Sequence, residues 1–96
     1  MRIVLDGNRV KSETDFHREL ANLLDFGPHY WANLDALWDR LSTDVDRPVH
    51  LYWAASEGSR AEMGSPAFDR IEQILQKTME QDAAFNWVDR FTYELG

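Results

Sequence analysis

The apolar residues of this chain fall into two rhythms. Ile3-Val4-Leu5 is a continuous apolar run closed by Asp6-Gly7-Asn8, a strong turn signal, and it predicts a short buried strand over 2–5. Phe16, Leu20, Leu23 and Leu24 then recur at helical spacing and predict an amphipathic helix over 13–25. Ser12 is its N-cap, with Asp15 three residues on as an acidic form of the capping box, and Gly27-Pro28 is its stop. A second helix is predicted over about 33–43, capped by Asn33, with Leu34, Leu37, Trp38 and Leu41 as its apolar stripe. After Pro48 the rhythm changes. Val49, Leu51 and Trp53 alternate with His50 and Tyr52 as a strand.

The stretch 55–65 is polar and reads as loop or short helix. Ser65-Pro66, a cap with proline in the first turn, opens a long helix marked by Phe68, Ile71, Ile74, Leu75 and Met79 and running to about residue 82. Residues 83–89 read as a further helical turn or a packed connection, in which Phe85, Trp87 and Val88 must bury against something. Phe91, Tyr93 and Leu95 close the chain as an alternating strand. Strands separated by helices predict an α/β fold. The expectation is one domain over 1–96, with helices packed on a three-stranded parallel sheet in a single layer of right-handed crossovers.

Composition narrows the function. A chain of 96 residues leaves little surface beyond one core, and large aromatic side chains must carry much of that core. There are no cysteines, so neither a disulfide framework nor a thiolate metal site is available. The only apolar run near the N-terminus is too short for a signal peptide or a membrane span, which predicts a cytoplasmic protein with no membrane association. Seventeen acids against ten Lys and Arg give a net charge of −7, which argues against nucleic-acid binding and for a basic protein partner.

On a wheel at about 100° per residue, Leu34, Leu37 and Leu41 group together with Trp38 at the margin, and Asp35 and Asp39 lie just beyond it. Such like-charge neighbours four residues apart cost about 0.2–0.5 kcal/mol in an isolated helix. The helix dipole offsets Asp35 more than Asp39. An unfavourable acid pair beside a large aromatic is how an interface would concentrate binding energy. On the long helix, Asp69, Glu72, Gln76 and Glu80 share one flank and Arg70 and Lys77 lie on the far side. If the two helices are adjacent, the acidic flanks are expected to merge into one surface edged by Trp38. His17, His29 and His50 sit in separate elements without metal spacing, and there is no phosphate loop, HExxH or GxSxG motif, so no metal or cofactor is expected. Paired carboxylates also serve glycoside hydrolysis, but so small a domain has little volume for a cleft.

The run Asn33-Leu34-Asp35-Ala36-Leu37-Trp38-Asp39 resembles the signature of the barstar family, intracellular inhibitors of secreted ribonucleases. Asp6-Gly7, Ser12 through Leu20, and Pro48 through Trp53 resemble family positions at similar spacing. Residues 1–54 align without gaps, and 65–82 more loosely. The resemblance implies an inhibitor, not an enzyme, that is a monomer when free. It would form a one-to-one complex with a basic ribonuclease, either a secreted enzyme or a toxin, making the protein an inhibitor or an immunity protein. In the family the second helix and the loop before it plug the nuclease active site, and an aspartate takes the place of a substrate phosphate. Asp39 matches that aspartate, Asp35 a second salt-bridging acid, and Asn33, Trp38 and Glu80 further contact positions. His29 stands where the family prototype has a contact tyrosine, Trp31 where it has glycine, and Gln76 replaces an acid; 83–89 is longer than in the prototype. Two other readings are an acidic binding module of the same fold that serves another basic protein, and a carboxylate-based hydrolase.

Overall fold

A computed structural model describes residues 1–96. In chain order it contains β1 (Arg2–Asp6), a 3-10 turn (Gly7–Arg9), α1 (Glu13–Leu24), α2 (Leu34–Thr43), β2 (Val49–Ala54), α3 (Ser56–Met63), α4 (Ser65–Ala84) and β3 (Phe91–Leu95). The strands form one parallel sheet in the order β1-β2-β3, with Leu5 opposite Trp53 and Leu51 opposite Tyr93.

That order explains the layering. When successive parallel strands are added in one direction and every crossover is right-handed, all connecting helices lie on the same face of the sheet. Ile3, Leu5, Val49, Leu51, Trp53 and Phe91 point to that face and are buried. The opposite face carries Arg2, Val4, His50, Tyr52, Thr92 and Glu94, none of them buried. Parallel sheets are usually covered on both faces. Here the bare face is made tolerable by polar contacts: Arg2 lies over the Tyr52 ring, and His50 sits between Thr92 (2.7 Å) and Glu94 (3.5 Å).

The core centres on Trp53, whose indole packs between Phe16 and Phe68 with ring centroids 5.0 and 4.9 Å away. Its buried N–H donates to Ser59 Oγ at 3.1 Å, and the Ser59 hydroxyl donates to the Gly7 carbonyl at 3.0 Å. A Cβ on Gly7 would fall 2.2 Å from the Ala54 carbonyl oxygen, so only glycine allows the first turn to close on β2. This chain of bonds is why 55–65 folds as a helix rather than an open loop: α3 holds the hydroxyl that satisfies the buried indole.

Both local N-caps form as the sequence predicts. Ser12 Oγ accepts from Asp15 N (3.0 Å) and Asn33 Oδ1 accepts from Ala36 N (2.8 Å). Four details differ. α1 ends before Gly27-Pro28, because Asp25 already adopts a left-handed conformation (φ 55°). Leu23, counted in its apolar stripe, is exposed. Ser65 is the first residue of α4 rather than its cap; Gly64, with φ 90°, holds the capping position and no side chain bonds there. Finally, Phe85, Trp87 and Val88 do not bury: they are 57, 43 and 96 % exposed, with the Phe85 and Trp87 rings 5.3 Å apart and Arg47 over the Trp87 ring. The core below them is already closed by Phe91 and by a buried ion pair. Asp82 is fully buried at the end of α4, accepts two bonds from the Arg47 guanidinium (2.8 and 3.2 Å) and one from the Phe91 backbone N–H (2.7 Å).

Candidate functional site

The site is built from α2 and the segment between α1 and α2. That segment is short of backbone bonds, so side chains hold it. Phe26 is buried and its N–H returns to the Ala21 carbonyl (3.0 Å), while its own carbonyl accepts from Arg40 of α2 (2.8 Å). Gly27 takes a positive φ of 78° and lets the chain turn outward. Tyr30 turns back in: its ring packs on Phe26 at 4.9 Å and its hydroxyl meets His17 Nδ1 at 2.6 Å. His17 is buried in α1, and its Nε2 lies 3.1 Å from Glu13. One neutral tautomer satisfies both contacts, Nε2–H donating to the carboxylate and Nδ1 accepting the phenol proton. Burial pushes the Tyr30 hydroxyl well above its ordinary range, so it keeps that proton. Arg40 lies over both the Phe26 and Tyr30 rings, and its charge also meets Asp44 at 3.6 Å.

Between these ties the chain exposes several side chains. His29 and Ala32 are exposed, and Trp31 is 78 % exposed, an indole supported from below by an anchored loop. Asn33 spends its side chain on capping α2. Leu37 and Leu41 fix the helix to the core, which leaves Asp35 and Asp39 on its outer flank. Both carboxylates are exposed, and neither makes a hydrogen bond or ion pair within the chain, whereas the next acid along, Asp44, is paired with Arg40. Trp38 is half-buried between core and surface.

His29, Trp31, Asn33, Asp35, Trp38 and Asp39 all lie on α2 or the segment before it, and none of them is buried, while Gln76 and Glu80 lie on α4. The helices are neighbours, yet α4 presents Lys77 to α2: its Nζ lies 4.1 Å above the centre of the Trp38 ring. The opposite flank faces β3 and α3. There the Tyr93 hydroxyl has two acceptors within reach of its one proton, Glu72 (3.1 Å) and Gln76 (2.9 Å), Gln76 donates to Glu80 (2.8 Å), and Asp69 pairs with Arg60 (3.2 Å). The residue of α4 that touches the α2 aromatic is thus Lys77 and not one of the acids, because both flanks of α4 are polar and packing decided which one turns to α2. Gln76 and Glu80 group with Tyr93. Three groups that shape the site were missed: Tyr30, His17 and Lys77. Of these, only Lys77 left a signal, its spacing from the half-buried Ile74 three residues before.

Tyr30→Phe is expected to keep the ring packing and lose the bond to His17. The loss should be about 1 kcal/mol of stability, with the buried imidazole left one partner short. Faster amide exchange over 27–33 than in α1, measured by NMR, checks it; unchanged exchange would mean that Tyr30 does not hold the loop.

Two comparisons with known proteins bear on this surface. A family model described as "Barstar (barnase inhibitor)" matches residues 1–92. A Bacillus subtilis (strain 168) protein named "Putative ribonuclease inhibitor YrdF" is 38 % identical over 80 residues, which cover 83 % of this chain and 87 % of that protein.

Proposed function

This chain belongs to the barstar family, and from that premise we propose that it is a ribonuclease inhibitor and not itself an enzyme, acting in the cytoplasm. It is a monomer when free and binds one molecule of a basic secreted or toxin ribonuclease. The observation that carries the reading is the unpaired state of Asp35 and Asp39 on a rigid helix beside an exposed indole.

A ribonuclease active site gathers cationic side chains to bind a phosphodiester. A carboxylate offers the same acceptor geometry and takes charge-assisted bonds from them, frequently two at once from an arginine. In this reading α2 and the preceding loop enter that site. Asp39 occupies the place of the phosphate, Asp35 meets a second cation and Trp31 is covered by the rim of the cleft. The acids pay no penalty for leaving partners behind, since they have none in the free protein. The anchored loop loses little conformational freedom on docking, which leaves more of the contact energy as affinity.

Isothermal titration and RNA-cleavage assays against a panel of secreted ribonucleases and ribonuclease toxin domains test this. Stoichiometric binding with loss of cleavage is expected for at least one. Binding to a basic protein without loss of cleavage would favour the acidic-module reading, and RNA or glycan hydrolysis by this protein alone would favour an enzyme.

With a net charge of −7, association should also be steered. The on-rate is expected to fall steeply as salt rises past physiological strength, where the Debye length is about 8 Å, while the off-rate changes much less. Stopped-flow rates that are flat with salt would contradict it.

A further inference from the structure

Lys77 places a positive charge against α2, whose outer flank carries Asp35 and Asp39. Its ammonium sits 4.1 Å from the centre of the Trp38 ring, a distance at which a cation is attracted to the indole face, and that attraction favours this placement. It is exposed and pairs with no carboxylate of the chain. Trp38 belongs to the same helix as Asp35 and Asp39, so the charge stands over α2, the helix that carries the two unpaired acids.

We propose that Lys77, held on Trp38, is a specificity-determining residue of the docking face. The inference rests on the inhibitor reading and adds the chemistry of the partner. The face fits a ribonuclease whose cleft is basic where Asp35 and Asp39 enter, and acidic or uncharged on the rim that meets the α2–α4 seam. It disfavours a ribonuclease whose rim is basic all round, because a like charge at a desolvated contact opposes docking. A single lysine thereby separates targets that the two aspartates alone would bind alike.

The test uses barnase, the ribonuclease named in the family's description, and barnase variants in which single lysines or arginines around the active-site rim are changed to glutamate. Inhibition constants are measured for the parent protein, Lys77→Glu and Lys77→Met. Arg2→Glu, on the bare face of the sheet, makes the same change in net charge away from the site. Lys77→Glu should bind unmodified barnase about tenfold or more tighter than the parent does, and Lys77→Met should fall between. At least one rim variant should reverse that order, favouring the parent. Arg2→Glu should follow the parent within about twofold. The proposal is overturned if Lys77→Glu and Arg2→Glu shift affinity equally, if the order is the same for every rim variant, or if Lys77→Glu does not bind barnase. The inhibitor reading is judged separately, by whether the parent inhibits any ribonuclease of the wider panel.

Discussion

Replacing Asp39 with alanine is expected to separate folding from binding. Asp39 is exposed, makes no side-chain bond, and stands one turn from the like charge of Asp35. Alanine removes that repulsion and is the better helix former, so folding stability should hold or rise by a few tenths of a kcal/mol. Affinity for the ribonuclease should nevertheless fall by about 3–5 kcal/mol, the usual cost of leaving a buried charge without its partner. That corresponds to roughly two to four orders of magnitude in the inhibition constant. Asp35→Ala should act in the same direction and less strongly. Thermal unfolding paired with inhibition constants measures both. An Asp39→Ala protein that inhibits as well as the parent would remove the phosphate-mimic role.

The largest effect on stability is expected at Asp82, which is fully buried and so takes no part in the proposed interface. Its carboxylate joins three parts of the chain: the end of α4, the segment before β2 through Arg47, and the start of β3 through Phe91. Asp82→Asn keeps an acceptor for Phe91 but leaves the Arg47 guanidinium largely buried and unpaired, and should cost about 3–5 kcal/mol. Adding Arg47→Met to that variant should recover much of the loss, because the penalty lies in the stranded charge. If the double variant is no more stable than Asp82→Asn, the role of Asp82 is chain-tying rather than charge compensation. Urea unfolding of the three variants decides.

The same pair sets the acid limit. Burial is the strongest influence on Asp82 and would raise its pKa, but the bonds from Arg47 and Phe91 together outweigh it and the carboxyl titrates below its usual range. Asp15 is lowered as well: the Lys11 backbone N–H acts most strongly, burial opposes it, and Arg18 and Ser12 add to the lowering. A depressed folded-state pKa contributes stability above the unfolded value, about 3.9 for Asp, and that contribution is lost as pH falls through the folded value. The protein should therefore lose stability below about pH 4, and Asp82→Asn should flatten that limb. On the alkaline side the sign reverses. Burial and then the Glu72 carboxylate push Tyr93 up to about 12, so its share is present below the ordinary tyrosine range and lost as pH rises through 12.

Features that depend on neighbours a few residues apart were legible in the sequence. The Ser12 and Asn33 caps each close a hydrogen bond three residues away, so residue type and spacing suffice. The alternation of Val49, Leu51 and Trp53 defined a strand because one sheet face is buried, and the parallel pairing followed from helices between strands; the order β1-β2-β3 came from the structure. The acid pair of α2 was visible too, since Leu37 and Leu41 set which flank of that helix turns outward.

Pairings across long separations left no comparable trace. Arg47 and Asp82 are 35 residues apart, and His17 and Tyr30 belong to different segments. An acid on the stripe of Phe68, Ile71, Leu75 and Thr78 was the one hint that position 82 is buried. Phe85, Trp87 and Val88 looked like core because apolar residues usually are, but Phe91 and the ion pair had already filled the space beneath them. A helical wheel ranks the faces of one helix by polarity and is silent on which of two polar flanks meets a neighbour. Packing turned Lys77, not Gln76 and Glu80, toward Trp38, because the Tyr93 hydroxyl from β3 engages Glu72 and Gln76 on the other side. The charges along α2 were thus written locally, while the charge set over Trp38 was chosen by how α4 lies on the sheet.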